Sequence, residues 1–267
     1  MEDELKLKKI VKEAYGKIAS DSIQEKESCC SKSCCCTSKH NNLMAEDYVG
    51  LEGYNPDADL GLGCGLPTKF AKIKKGDTVV DLGSGAGNDC FVARSEVGET
   101  GKIIGIDFTP EMVEKAKSNT KKRGFTNIEF IQGDIDNIPL DSNTADVIVS
   151  NCVLNLVPYK KAVFNEIYRV LKPNGHFSIS DIILTGELPD EIKSAVEMYA
   201  SCITGAISKD LYLKNIEETG FKNITIQKEV AIELPEEFME TNFSEETIRA
   251  YNENSNTIKS ITVYAEK

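Results

Sequence analysis

The chain has only two histidines, His40 and His176, in 267 residues. A reaction built on a histidine general base therefore has few places to sit. Neither position compels one, because His40 lies in a polar, cysteine-dense stretch and His176 opens a predicted strand. No apolar run is long enough to cross a bilayer. Met1–Ala19 carries charge throughout, with no apolar stretch leading to a cleavage site, so it does not read as a secretory signal. Positive charge is scarce as well: 31 Lys and Arg stand against 43 Asp and Glu, a formal net charge of -12, and no basic stripe offsets it. Such a balance repels phosphate backbones and anionic lipid heads but tolerates a cationic ligand. Nucleic acid and membrane are thereby set aside as partners, and no internal repeat points to a solenoid.

What the chain does have is cysteine, nine residues of it. The expected location is the cytoplasm, where thiols stay reduced and serve more often as ligands or catalysts than as staples. Three parts are expected: an N-terminal helix and Cys-rich arm over 1–53, a ligand-binding core over 54–184 and a C-terminal part over 185–267 that covers a second site. Residues 1–20 read as an amphipathic helix with Leu5, Leu7, Ile10, Val11, Ala14 and Ile18 on its apolar face. Ser22–Asn42 has too little to bury to form a core and reads as a mobile arm.

After a short helix at 67–73, β-branched runs at Thr78–Leu82, Lys102–Asp107, Asn127–Gln132, Ala145–Asn151 and His176–Leu184 alternate with helical stretches at 88–97, 110–123 and 159–171. That alternation predicts an α/β fold with a mostly parallel sheet and helices on both faces. Helices at 189–204 and 208–219 and strands at 223–230 and Ser260–Ala265 follow, while Glu233–Glu246 reads as a solvated face with no assigned role. Monomer is the default expectation.

The strongest local signal is Val79-Val-Asp-Leu-Gly-Ser-Gly-Ala-Gly-Asn-Asp89. A buried strand ends at Asp81, and Gly83, Gly85 and Gly87 let the backbone turn tightly into the helix that starts near Asn88. Alone, this could be a dinucleotide fingerprint or simply a tight connection. The spacing G-x-G-x-G rather than G-x-G-x-x-G argues against a dinucleotide, and so does Asp81, which suits a cationic amino-acid group better than a pyrophosphate. Gly105-Ile-Asp107 ends the next strand with a carboxylate suited to two ribose hydroxyls. The alternative for Asp107 is a helix cap, for which Thr109 before Pro110 looks the better residue. In Gln132-Gly-Asp-Ile-Asp136, Asp134 reads equally as a partner for an adenine amino group, with Ile135 on the ring, or as a solvated turn residue.

The series Asp81–Gly87, Asp107, Gly133–Ile135 and Leu171-Lys-Pro-Asn-Gly175 resembles the class I S-adenosylmethionine-dependent methyltransferases over roughly residues 65–185. The resemblance implies a Rossmann-like seven-stranded sheet whose seventh strand runs antiparallel. It also implies S-adenosyl-L-methionine as cofactor, contacted by Asp81, Gly83, Ser84, Gly85, Asn88, Asp107, Phe108, Met112, Gly133, Asp134, Ile135 and Asn151.

Cysteines stand where an acceptor belongs. Cys152 lies just past the fourth predicted strand, Cys202 ends a helical stretch near Gly205, and Cys64 sits in a glycine loop ahead of the core. Cys90, inside a helix among Phe91, Val92 and Ala93, reads instead as a small core hydrophobe. Leu62-Gly-Cys64-Gly, Ser150-Asn-Cys152-Val-Leu-Asn-Leu156 and Tyr199-Ala-Ser-Cys202 resemble the cysteine signatures of arsenite methyltransferases, from about Cys29 to Lys267. That resemblance implies Cys64, Cys152 and Cys202 as arsenic ligands, arsenite or its thiol conjugates as substrate and a reductant of the glutathione or thioredoxin type. It also implies an N-terminal cysteine that pairs with Cys64 during reduction. Among Cys29, Cys30, Cys34, Cys35 and Cys36, position favours Cys35 or Cys36. A zinc site from Cys30, Cys34, Cys36 and His40, or arsenite capture by the arm, uses the same residues. A quinone-type C- or O-methyltransferase, or a metalloid-binding protein without catalysis, stays open at this point.

Overall fold

The computed structural model describes residue 12 and residues 15–19, 48–192, 203, 205–253 and 257–267. The arm with Cys35 and Cys36, most of the first predicted helix, most of 189–204 and Cys202 lie outside the described residues.

Seven strands form one sheet: β1 (Thr78–Leu82), β2 (Lys102–Asp107), β3 (Ile128–Gln132), β4 (Ala145–Asn151), β5 (Leu171–Leu184), β6 (Lys222–Ala231) and β7 (Ile258–Glu266). Their spatial order is β3-β2-β1-β4-β5-β7-β6. β1 to β5 pair in parallel, and β7 runs antiparallel between β5 and β6, as the family resemblance implied. The period of two is visible in the packing. Val80, Leu82, Ile104, Ile106 and Ile148 face a core shared with Phe164, Ile167 and Tyr212, whereas Val79, Ile103, Val147 and Val149 face Cys90, Ala93, Val97 and Val113. Each face is covered by helices, which is why β1, β2 and β4 read as nearly continuous apolar runs.

The helices are α1 (Pro67–Phe70), α2 (Asn88–Val97), α3 (Pro110–Arg123), α4 (Lys160–Val170), α5 (Lys209–Thr219), α6 (Glu236–Asn242) and α7 (Glu245–Glu253). α4 and α5 lie over one face, where Phe164 meets Tyr212 edge-on at 5.5 Å between ring centroids and Phe177 meets Phe221 at 4.9 Å. No helix among the described residues is long and apolar enough to cross a membrane.

Four expectations are corrected. α1 stops at Phe70 rather than 73, because Lys72 takes a left-handed φ of 50° that no helix continues. β5 begins at Leu171, and Lys172–Gly175 form a bulge between the paired residues Leu171 and His176, with Asn174 at φ 65°. The stretch Glu233–Glu246 is helical in α6 and the start of α7, and its acidic face hides an apolar one through Met239 and Phe243. In the described part of the first helix, Ile18 is 36% exposed while Ala19 is buried, so the buried face runs through Tyr15 and Ala19.

Candidate active site at the carboxyl edge

A cleft opens at the carboxyl ends of β1, β2 and β4. Open α/β sheets bind ligands at this edge, where crossovers diverge. Gly83 makes the turn that forms its floor. Its φ is 69°, and a Cβ there would lie 2.3 Å from the Val153 side chain. Gly83 and Ser84 both donate their backbone N–H to the Ile106 carbonyl, which pins the loop to β2. α2 starts at Asn88, after Gly87 at an N-cap with no side-chain bond, and Asn88 and Asp89 of its first turn line the cleft.

Of the residues expected to touch a cofactor, Asp81, Gly83, Ser84, Gly85, Asn88, Asp107, Phe108, Met112 and Asn151 line this cleft, together with Cys152. Gly133, Asp134 and Ile135 do not line it. Ile135 is buried in the core with Val80 and Ile106, and a Cβ on Gly133 would meet Pro139 at 2.7 Å. Asp107 accepts from Gly85 N–H at 2.9 Å through Oδ2 and from Thr109 N–H at 2.8 Å through Oδ1. Thr109 occupies the N-cap position of α3, yet its side chain caps nothing. Neither residue caps α3 through its side chain: Asp107 braces the loop on either side of it, through Gly85 and Thr109, and borders the cleft.

Sequence reasoning missed Asp89, Tyr48, Asp59 and Tyr15, all of which line the cleft. Asp89 is the informative omission. It is buried and accepts from Tyr48 Oη at 2.8 Å, Asn151 Nδ2 at 3.3 Å and Thr68 Oγ1 at 3.4 Å. An acidic residue in the second position of a helix that follows a glycine-rich ligand loop was a usable signal. Tyr48 had none, since it comes from a loop far upstream.

Cys90 is buried in the core as expected, but it is more than a hydrophobe. Its Sγ donates to Asp81 Oδ2 at 3.2 Å, and burial, then Asp81, holds the thiol well above its usual pKa and so protonated. Burial likewise raises all three carboxyls. Asp81 lies well above the usual range, with the charge of Asp89 adding to the desolvation, and Asp107 is raised despite its two backbone donors. Burial pushes Asp89 up to about 6, opposed by its hydrogen bonds from Tyr48, Asn151 and Thr68. Three desolvated acids around one cleft favour a cation.

Cys64 and Cys152 are brought together. Both are buried, in an apolar cluster with Ile182, Leu188, Ile203, Met239, Phe243 and Tyr251. Cys152 holds a φ of 63°, unusual for a residue with a Cβ, and its N–H donates to Ser180 O at 2.8 Å. Strain of this kind persists only where surrounding structure fixes it, and it collects at functional sites. Ser260 Oγ donates to Cys64 O at 2.6 Å.

Asn151 joins the two regions. Its Oδ1 accepts from Cys64 N–H at 3.0 Å, and its Nδ2 donates to Gly65 O and Tyr48 Oη, both at 2.7 Å. Asn151→Ala would leave the Cys64 amide and the Gly65 carbonyl without this partner, so a loss of about 2–3 kcal/mol in denaturant unfolding is expected. A change below about 0.5 kcal/mol would mean that the segment is held by other contacts.

The residues fit the family's cofactor on two independent counts. The cleft carries acids for a cationic sulfonium and ammonium, and Ser84 Oγ is buried with no partner among the described residues. At Gly85 a Cβ would meet nothing within 4 Å, so the loop leaves open room beside it.

Comparison with known proteins agrees. A family model described as a methyltransferase domain matches residues 73–220. An arsenite methyltransferase of Halobacterium salinarum is 39% identical over 231 residues, 82% of this chain and 58% of that protein. One from Homo sapiens is 34% identical over 215 residues, 75% of this chain and 54% of that protein. The chain thus spans a little over half the length of these two relatives. The crystal structure of an arsenic(III) S-adenosylmethionine methyltransferase from Chlamydomonas reinhardtii superposes with a TM-score of 0.65 at 32% identity, covering 77% of this chain and 67% of that one. Fold, cleft and relatives converge: the chain belongs to the class I S-adenosylmethionine-dependent methyltransferases and, within them, to the arsenite methyltransferase family.

Proposed function

We propose that the protein methylates trivalent arsenic held by cysteine sulfur. The observation that carries this reading is the burial of Cys64 and Cys152 in one apolar cluster, with Cys152 also bordering the acid-lined cleft. Soft sulfur selects soft, thiophilic centres. Condensation of a thiol with an arsenic hydroxyl forms As–S and releases water with no net proton, so a dry, uncharged site suits it. Cys202, outside the described residues, is the proposed third ligand.

Asp81, Asp89, Asp107 and Ser84 would hold S-adenosylmethionine in the cleft. When bound, it supplies an electrophilic methyl group on a sulfonium. Three sulfur ligands leave the arsenic lone pair as nucleophile, so no residue is needed as a base. The chain's task is alignment, for which Asn151 ties the backbone of Cys64 to the strand end that carries Cys152. Orientation of this kind can lower a barrier by about 7–11 kcal/mol. Methylation raises arsenic formally to the pentavalent state, so a turnover includes a two-electron reduction in which two thiols become a disulfide. Cys64 with Cys35 or Cys36 is the proposed internal pair, and a small thiol or thioredoxin-type protein would regenerate it.

The test is to incubate the protein with arsenite, S-adenosylmethionine and a thiol reductant, following methylated arsenic and S-adenosylhomocysteine together. Both products are expected in step. Cofactor binding without either product would retire arsenic as the acceptor.

A further inference from the structure

A second buried polar group lies behind the thiols, on the α4/α5 side of the sheet, and the reaction as described does not use it. Lys160, at the start of α4, is only 4% exposed. Its Nζ donates to the Gly205 carbonyl at 2.6 Å and to the Val157 carbonyl at 3.4 Å. The fully buried Asp181 of β5 acts on it through its charge, with no hydrogen bond between the two, and Asp181 Oδ2 accepts from Tyr212 Oη of α5 at 3.0 Å. Asp181 Oδ1 and Asn155 Oδ1 are both buried without a partner among the described residues. Burying an ammonium, a carboxyl group and two unanswered oxygens costs stability that apolar side chains would not, so the arrangement calls for another reason.

Its location supplies one. Asn155 follows Cys152 by three residues, and Gly205 packs so closely on it that a Cβ on Gly205 would lie 1.7 Å from the Asn155 carbonyl oxygen. Two residues before Gly205, Ile203 is buried in the cluster that holds Cys64 and Cys152. The same segment is tied to the end of β5 by Leu184 N–H donating to Ile207 O at 3.0 Å. Cys64 and Cys152 lie near enough to Tyr212 to raise its phenol further, after burial and Asp181.

We infer that the buried Lys160 is a positioning residue that clamps Gly205 onto Asn155 and so keeps Ile203 packed in the cluster with Cys64 and Cys152. The inference rests on the arsenic reading and names the device that keeps that site shut and in register. Without the ammonium, the Gly205 carbonyl loses its donor and the lid residue loses its anchor, while the cofactor cleft, which shares none of these groups, is untouched.

The test uses the full chain and compares wild type, K160R and the double variant K160M/D181N. The double variant removes both charges together, so no lone carboxylate is left buried. Alkylation of Cys64 and Cys152 is followed by peptide mass spectrometry, with and without arsenite, alongside cofactor affinity. In K160M/D181N, alkylation of both cysteines in the free protein is expected to quicken at least about tenfold, and the arsenite needed to protect them to rise by a similar factor. Cofactor affinity is expected to stay within about twofold, and K160R, which keeps a donor for Gly205, to behave like wild type. Unchanged alkylation and protection in the double variant would overturn the clamp while leaving the arsenic reading intact. A parallel loss of cofactor affinity would also overturn it, by making the pair a general fold element. If arsenite protects neither cysteine in wild type, the arsenic reading fails and the clamp fails with it.

Discussion

Cys152→Ser is expected to lower arsenic methylation by about a thousandfold, some 4 kcal/mol of transition-state stabilisation, with cofactor affinity changed by less than about threefold. The change swaps one atom. It keeps the size of the side chain, the left-handed backbone at φ 63° and the N–H bond to Ser180 O. What it removes is the proposed soft ligand, because an arsenic–oxygen bond exchanges with water where an arsenic–sulfur bond does not. The hydroxyl also enters a cluster built from Ile182, Leu188, Met239 and Phe243, where an unanswered polar group costs about 1–3 kcal/mol. Cofactor affinity is spared because the acids Asp81, Asp89 and Asp107 belong to β1, α2 and β2 rather than to the thiol cluster. The measurement is initial rate against arsenite for both forms, with the cofactor dissociation constant read separately. A serine variant within tenfold of wild type would remove Cys152 from the ligand set.

The strands that carry the cleft were legible because burial on both faces writes itself as unbroken β-branched runs. β1, β2 and β4 match their predicted bounds to the residue. The loop glycines were legible for a related reason, since a strand that turns at once into a helix needs them. Three things were not legible. Tyr48 reaches Asp89 and Asn151 across 41 and 103 residues of sequence, and no local pattern reports a contact of that span. Lys160 and Asp181 look like ordinary surface charges in sequence, and only the packing of α4 and α5 on β5 buries them. α6 and α7 were hidden by composition: Glu-rich faces dominate the stretch, while Met239, Phe243 and Tyr251 are spaced across two helices with a break at Phe243. Cys90 shows the converse. Its burial was foreseen from its helical neighbours, but its bond to Asp81 depends on how α2 settles on β1.

Asp89→Asn is expected to weaken cofactor binding about thirtyfold at pH 8, roughly 2 kcal/mol, and to change the pH dependence of what remains. In the free wild-type protein burial pushes Asp89 up to about 6, and Asp81 lies well above the carboxylate range, partly through the charge of Asp89. A cationic ligand favours the ionised forms. Wild-type affinity should therefore be level well above pH 6 with respect to Asp89 and fall by up to about tenfold per unit below it, with protons released on binding in between. Asp81 and Asp89 titrate as a pair, so the midpoint belongs to both. Removing the Asp89 charge lowers Asp81, and the variant's affinity should hold to a lower pH than that of wild type. Stability of the free protein runs the other way. A carboxyl raised in the fold contributes stability that is present below its unfolded value near 3.8 and is lost as pH rises through about 6. The variant should therefore gain on wild type in thermal unfolding between about pH 4 and 6 and keep that gain above it, and saturating cofactor should narrow the gain by neutralising the charge of Asp89. Binding curves with the same pH midpoint in both proteins would show that Asp89 stays neutral and serves only to hold Tyr48, Asn151 and Thr68 in place.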